Sequence, residues 1–184
     1  MPSLFAHIAV PLAGRALLGQ DAIPRRVLVA GLVLCALPDL DVIAFGFGIP
    51  YASPWGHRGF THSIAFGLVV ALACWWMLRP ARPSRFTFAA AIYLVVCAIS
   101  HGLLDGLTNG GLGSALWWPL SDDRWFAPFR PIQVSPIGHA FFSSRGLAVI
   151  QSEAVWIGLP ALAVSLFGLA VRRRLTARRV ERTA

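Results

Sequence analysis

The chain has 184 residues and a mean hydropathy of +0.66; 57% of its residues are hydrophobic and only 13% are charged. A soluble domain carries about 25% charged residues, so this composition excludes an ordinary soluble protein and indicates a membrane protein. The formal net charge is +8, and all sixteen basic residues are arginines. Because these arginines cluster at the ends of apolar runs, we attribute them to membrane topology and expect no nucleic-acid binding.

Five apolar segments follow one another along the chain, at residues 4–18, 27–47, 62–78, 86–104 and 148–171. About 20 residues, rising about 1.5 Å each, cross the hydrocarbon core as a helix. The first segment is short and contains Arg15, so it either spans the membrane, is re-entrant or lies in the interface. The pattern predicts an all-α fold, an integral membrane helical bundle of four to five transmembrane helices. We expect it to form a single domain over residues 1–184.

A long connection, about residues 105–147, separates the fourth and fifth segments and is rich in Gly, Pro and Trp. Connections of this length are usually functional or partly helical. Its aromatic residues suit either an interfacial belt or ordinary loop packing. The N-terminus lacks a basic stretch before its apolar run, so we expect it to be retained and not cleaved as a signal peptide.

The distribution of arginine predicts the orientation of the chain. One set of connections carries most of the arginines, including Arg25, Arg26, Arg79, Arg82 and the tail 172–184, whereas the other side holds only Arg58, Arg124, Arg130 and Arg145. The positive-inside rule places the first set in the cytoplasm. We therefore expect a multi-pass protein of the inner (cytoplasmic) membrane, with a basic cytoplasmic tail and the long connection on the outer face.

All five histidines and six of the eight acidic residues fall on the outer side in this topology. Ionisable residues near membrane depth are costly and indicate function by default. His101 and Asp105 are four residues apart on one helix, so they share a face and can bind one ion. His57 is expected on a loop, and His62 at the start of the third helix with Thr61 as its N-cap.

Asp39 and Asp41 follow Pro38, where a helix bends or breaks. Their carboxylates can each serve one metal ion or bridge two, or simply cap a helix. Together with His57, His62, His101 and Asp105 they predict a metal site. Imidazole and carboxylate ligands suit Zn, Mn or Fe better than Ca or Mg.

Other residues are weaker candidates when taken singly. His7 and His139 are either further ligands or ordinary interfacial side chains. Glu153 is either a ligand, a general base or an ordinary carboxylate near a helix N-terminus. Asp122 and Asp123, next to Arg124, are expected in a solvated turn.

Three motifs resemble a known family: "PDLD" at 38–41, "HRGFTHS" at 57–63 and "HGLLD" at 101–105. With "LFAH", "LWWPLSDDRWFAPF" and "SPIGHAFFSSRGL", the chain is similar over nearly its whole length to the YdjM-like family of membrane-bound metal-dependent hydrolases. The order of the ligands also resembles zinc-dependent phospholipase C and related single-strand nucleases. That resemblance implies His7, Asp39, His62 (or His57), His101 and Asp105 as ligands. Those enzymes hold three zinc ions and have a second His-x-x-x-acid pair. This chain has Ser143 at the acid position after His139, so we expect one or two ions and not three.

The family resemblance implies a metal-dependent hydrolase, and the position of the site at the outer interface favours a phosphoester of a lipid or lipid-linked substrate. In this interpretation a divalent ion, Zn above all, activates water, and Asp41 or Glu153 acts as general base. Arg58 either binds phosphate through its planar guanidinium or extends to the interface. The alternatives are a metal transporter, which would hold its ligands near the midplane, and a non-catalytic protein with a structural metal. The sequence does not determine the oligomeric state.

Overall fold

The computed structural model describes residues 1–79, 85–136 and 138–183, and these residues form an all-helical fold without a β-strand. The helices are α1 (Leu4–Leu18), α2 (Arg25–Ala36), α3 (Ile64–Leu78), α4 (Arg85–Gly106), α5 (Ser144–Glu153) and α6 (Leu159–Thr183). A 3₁₀ segment, Leu37–Phe47, continues α2, and a π-helical turn, Ala154–Gly158, joins α5 to α6. Arg82 and Ala184, which the predicted cytoplasmic set includes, lie outside the described residues.

Among the described residues, three helical stretches are long and apolar enough to cross a membrane: Arg25–Phe47, Thr87–Gly106 and Ser144–Arg178. The other two apolar helices, α1 and α3, have 15 residues each, a rise of about 22 Å, less than the core of about 30 Å. The predicted helical membrane bundle is therefore confirmed. Two of its five predicted segments are shorter than a full span.

Two prolines, Pro38 and Pro160, lie where the regular α-helical hydrogen bonding is interrupted. Pro38 stands at the start of the 3₁₀ segment that follows α2; proline lacks the backbone N–H that an α-helix interior needs. Pro160 likewise cannot donate to the carbonyl four residues earlier, and the π-helical turn lies just before it. Such π turns are a common way for a long helix to accommodate a local break.

Close packing between helices depends on small residues that face Tyr93 of α4. A Cβ at Gly14 of α1 would lie 3.0 Å from the Tyr93 ring, and Gly31 of α2 leaves even less room. The Tyr93 hydroxyl donates a hydrogen bond to the Pro11 carbonyl at 3.1 Å. This residue therefore joins α1, α2 and α4 in one tightly packed centre.

Contacts at the two ends of the bundle show how the chain runs. At one end, Glu153 accepts hydrogen bonds from the backbone N–H and hydroxyl of Ser3, the residue before α1. At the other end, Arg172 of α6 donates to the Leu17 carbonyl at 2.9 Å. The end of α2, the start of α3 and the end of α4 meet beside the Ser3 end of α1, where the site described next is built.

Candidate metal centre

The centre of the site is a group of four side chains from three parts of the chain: Asp39, His62, His101 and Asp105. They offer one ligand atom each, and these atoms all lie within 4.8 Å of one another. Asp39 comes from the 3₁₀ segment, His62 from a short 3₁₀ turn (Phe60–His62) before α3, and the other two from α4. We call this set the four-residue group.

The atomic separations in the four-residue group suit a tetrahedral ion. His62 Nε2 lies 3.1 Å from His101 Nε2 and 3.2 Å from Asp105 Oδ2. His101 Nε2 lies 3.3 Å from Asp39 Oδ1. Two ligands bound about 2.0–2.1 Å from a tetrahedral ion are separated by about 3.4 Å. Two other pairs are wider, with 3.8 Å from His62 Nε2 to Asp39 Oδ1 and 4.0 Å from His101 Nε2 to Asp105 Oδ2. The four atoms could together hold one metal ion.

Both histidines in the four-residue group are held by the nitrogen that faces away from it. His101 Nδ1 lies 2.6 Å from the Cys35 carbonyl, which can only accept, so Nδ1 carries the hydrogen. His62 Nδ1 lies 3.2 Å from Asp41 Oδ2 and 3.0 Å from the Thr61 hydroxyl. Metal-binding histidines are typically held in this way by a carbonyl or carboxylate, which directs the other nitrogen to the ion.

The local sequence explains why the Cys35 carbonyl is free for this contact. The chain tightens from α-helix to 3₁₀ helix at Leu37, and a 3₁₀ helix pairs each carbonyl with the N–H three residues later. For Cys35 that residue is Pro38, which has no N–H. The "PDLD" turn therefore positions Asp39 and also supplies the acceptor for His101.

Burial and charge also point to a cation. Asp105 and His101 are fully buried, and Asp39 Oδ1 and both oxygens of Asp105 have no hydrogen-bond partner among the described residues. Of the three carboxylates in this region, those of Asp39, Asp41 and Asp105, only that of Asp105 is ion-paired with the Arg58 guanidinium. A cation held by Asp39 and Asp105 would offset buried negative charge, which is costly when it is uncompensated.

His7 adjoins the four-residue group without belonging to it. Its ring stacks on that of His101, with 3.8 Å between the centroids and 7° between the planes. Nε2 of His7 lies 3.8 Å from Asp105 Oδ1, and neither ring nitrogen has a hydrogen-bond partner in the described part of the chain. A fully buried imidazole with two unpaired nitrogens is unusual, and this places His7 where an additional ligand would stand.

A second set, Asp41, His57 and His62, also has ligand atoms within 4.8 Å of one another. We call it the Asp41 group. Asp41 Oδ1 lies 2.6 Å from His57 Nδ1. Asp41 Oδ2 accepts from the Arg58 backbone N–H at 3.0 Å and from the Thr61 hydroxyl at 2.7 Å. This carboxylate therefore anchors the whole "HRGFTH" segment to the 3₁₀ segment after α2.

Thr61 and His62 differ from their predicted local roles. The prediction that Thr61 caps the third helix is wrong: Ser63 is the N-cap and accepts from the Phe66 N–H at 3.0 Å. His62 does not open that helix either, since it lies in the 3₁₀ turn before it. The hydroxyl of Thr61 donates to Asp41 instead. Thr61 is therefore part of the site, although the sequence analysis assigned it to helix capping.

Arg58 is fully buried and does not extend to the membrane interface. Its Nε lies 3.1 Å from Asp105 Oδ2, and its terminal nitrogens donate to the Gly110 carbonyl at 3.1 Å and the Thr108 hydroxyl at 3.3 Å. Burial lowers the pKa of Arg58, whereas Asp105 acts in the opposite direction. All three guanidinium nitrogens therefore already have protein neighbours, Asp105 among them. Fewer of their N–H groups are available for a phosphate than we expected.

The backbone of Arg58 is also unusual, with φ = 61° in the left-handed region. Such a conformation in a residue other than glycine persists only where the surroundings fix it, and it often marks a functional site. Here the N–H donates to Asp41, and the carbonyl accepts from Ala115 N–H at 2.9 Å and from Arg124 at 2.6 Å.

The long connection after α4 holds the "HRGFTH" segment in place. Arg124 donates to the carbonyls of four residues before and within that segment, Tyr51, Ser53, His57 and Arg58. Leu116 accepts from the Ile64 N–H at 3.0 Å. The connection thus holds the backbone of the "HRGFTH" segment by hydrogen bonds. Among its described residues it contains no helix before Gly138–Phe141.

Gly102, inside the "HGLLD" motif, permits the close approach of two ligands. A Cβ at this position would overlap the carbonyl oxygen of His62. Because His62 and His101 come from different elements, only a residue without a side chain lets their backbones pack so tightly. Sequence reasoning missed this residue, although its place between His101 and Asp105 is a signal that could have found it.

Besides His7 and Arg58, two more predicted site residues belong to neither group. His139 is exposed on the short 3₁₀ helix Gly138–Phe141, so we do not retain it as a ligand. Glu153 is buried, and its carboxylate is occupied by Ser3 at the start of α1. The geometry gives Glu153 a role in joining helices and does not support its role as general base.

Comparison with known proteins identifies close relatives of the chain. The YdjM inner membrane protein family matches residues 1–177. The inner membrane protein YbcI of Escherichia coli (strain K12) is 43% identical over 167 residues, which cover 88% of this chain and 94% of that protein. No solved structure matches the chain. The chain therefore belongs to the YdjM inner membrane protein family.

Proposed function

We propose that this protein is a membrane-bound metal-dependent hydrolase that cleaves a phosphoester of a lipid or lipid-linked substrate. The observation that carries the proposal is the four-residue group, in which two imidazole nitrogens lie 3.1 Å apart beside three carboxylate oxygens without a hydrogen-bond partner among the described residues. A resident divalent ion, Zn above all with Mn or Fe as alternatives, would lower the pKa of water and polarise a phosphoryl oxygen. Asp39, His62, His101 and Asp105 would hold it.

The side chains around the group support a reaction centre in addition to a binding site. Asp39 is the most exposed of the four, with 16% of its side chain accessible, whereas the other three are fully buried. Substrate would therefore reach the group past Asp39. Arg58 holds Asp105 in place and keeps positive charge beside the position where a phosphoryl group would develop charge.

An apolar groove supports a lipid as substrate. Leu4, Ile8, Val33, Leu37 and Leu40 are among its lining residues, and they bring α1 together with the end of α2. These positions flank His7 on one element and Asp39 on the other. A lipid could leave its acyl chain in the groove while its headgroup reaches the site. We also propose that the site faces the non-cytoplasmic side, because Arg15, Arg25 and Arg26 lie toward the opposite ends of their helices.

Metal content and hydrolysis test this proposal together. The full chain is purified in detergent, and its metal is counted by elemental analysis for the wild type, His101→Ala and the control His139→Ala. We expect about one ion per chain in the wild type and control, and less than a tenth of that in His101→Ala. Phospholipid and water-soluble phosphoester hydrolysis should fall in the same order. Hydrolysis that is unchanged in His101→Ala would refute the assigned site.

Metal transport is the second candidate, because the four-residue group is buried within a helical membrane protein. Flux of Zn²⁺ into proteoliposomes, without hydrolysis by the same preparation, would favour it over the hydrolase. A non-catalytic metal protein would bind the ion and show neither flux nor turnover.

A further inference from the structure

Asp41 differs from the other carboxylates of the site in how completely its oxygens are used. Four donors surround it: His57 Nδ1 at 2.6 Å, Arg58 N–H at 3.0 Å, the Thr61 hydroxyl at 2.7 Å and His62 Nδ1 at 3.2 Å. Three of these contacts are to Oδ2 and one is to Oδ1, so both oxygens of Asp41 face protein donors. Neither oxygen of Asp105 has a hydrogen-bond partner in the described part of the chain, although Oδ2 is ion-paired with Arg58 at 3.1 Å.

The two groups cannot both hold an ion through a neutral His62. A neutral imidazole has one nitrogen with a lone pair and one that carries hydrogen. If Nε2 of His62 binds an ion in the four-residue group, Nδ1 must carry the hydrogen and can only donate. Asp41 Oδ2, at 3.2 Å, is then an acceptor for that hydrogen and does not share a second ion with His62.

We infer that Asp41 is not a metal ligand or a general base but a positioning residue, which fixes the ring orientation and tautomer of His62 and anchors His57, Arg58 and Thr61. The site then holds a single ion, in the four-residue group. This inference rests on the metal site of the proposed function but not on hydrolysis. It replaces our expectation that Asp41 binds or bridges metal.

Titration with Co²⁺ separates this inference from a two-ion site. The full-length protein in detergent is freed of metal, and its Co²⁺ stoichiometry, affinity and visible absorption are measured for the wild type and Asp41→Asn. We expect one Co²⁺ per chain in both, with the same absorption bands and an affinity about 10- to 100-fold lower in the variant, the usual effect of losing a residue that orients a ligand. The exposed Asp122→Asn is the matched control and should bind as the wild type does.

Two outcomes would overturn the inference: two Co²⁺ ions in the wild type with only one in Asp41→Asn, or an affinity equal to that of the wild type. Since the readout is binding, it is independent of whether any ester is hydrolysed. If Asp41→Asn does not fold, His57→Gln replaces it. If the site holds two ions, His57→Gln removes a ligand and should lower the stoichiometry from two Co²⁺ per chain to one. If Asp41 only positions His62, the variant and the wild type should both bind one Co²⁺ per chain.

Discussion

The four-residue group and the Asp41 group have nearly the same composition and share His62, yet they are used in opposite ways. In the Asp41 group every carboxylate oxygen accepts hydrogen bonds from the protein. In the four-residue group, Asp105 and one oxygen of Asp39 lack such partners in the described part of the chain. A cluster of histidines and aspartates is therefore not by itself a metal site, because the unpaired atoms decide where an ion is needed.

Among these changes, Asp105→Asn should cause the largest loss of stability, together with the loss of Co²⁺ binding. It removes a ligand and leaves the buried Arg58 guanidinium without its counter-charge at 3.1 Å. Breaking a buried ion pair by removing one partner costs about 3–5 kcal/mol. We expect a decrease of that size in the free energy of unfolding, measured by denaturant titration in detergent, together with loss of Co²⁺ binding. Asp122→Asn, with an exposed carboxylate, is the control, and an equal loss there would contradict the assignment.

Removal of metal should cause the next largest decrease in the free energy of unfolding. A ligand that binds only the folded state, present at 100 times its Kd, stabilises that state by about 2.7 kcal/mol. We expect a chelator to lower the free energy of unfolding of the wild type by about this amount and to leave His101→Ala unchanged. If both respond equally, the stabilising ion is bound elsewhere.

Gly102→Ala should disturb the four-residue group by moving one of its ligands. The added Cβ would overlap the His62 carbonyl, and overpacking of this kind costs about 1–3 kcal/mol. We expect both lower stability and weaker Co²⁺ binding. Gly46→Ala is the matched control, since a Cβ there meets no atom of the described residues within 4 Å. Wild-type Co²⁺ affinity in Gly102→Ala would show that the close approach of His62 and α4 is not required.

Thr61→Val should have the smallest effect on stability, and it tests the contacts of Thr61 with Asp41 and with His62 Nδ1. It removes one of the four donors to Asp41, a hydrogen bond worth about 0.5–1.5 kcal/mol. We expect a several-fold loss of Co²⁺ affinity with one ion still bound. Thr176→Val, whose hydroxyl bonds only within its own helix to the Arg172 carbonyl, should bind as the wild type does. A change in stoichiometry in Thr61→Val would indicate a second ion.

Some of the candidate site could be predicted because it depends on spacing within one element. His101 and Asp105 share a helix face at four residues' separation, and both belong to the four-residue group. The break at Pro38, with the acidic residues after it, was also predictable. Asp41 is next but one to Asp39 and has the same chemistry, yet its role depends on donors 16 to 21 positions away, which no local pattern specifies.

Burial was the property that sequence reasoning assigned least well. Arg58 was expected to bind phosphate or reach the interface, whereas the connection after α4 covers it with Thr108 and Gly110. His139 was a candidate either for a further ligand or for an ordinary interfacial side chain, and it is exposed. Both outcomes depend on how the residues between α4 and α5 fold back, and those residues have neither a helical nor a strand periodicity before Gly138.

The sequence by itself determined the helices, the family and the types of side chain available for a metal. It could do so because a chain in a bilayer must satisfy its backbone within each helix, which leaves long apolar runs bounded by arginine. Only the tertiary structure decided which carboxylate oxygens have hydrogen-bond partners and which nitrogen of His62 and His101 faces the other members of the four-residue group. Those properties depend on the hydrogen-bond partners of each atom, and these partners come from parts of the chain that meet only when it folds.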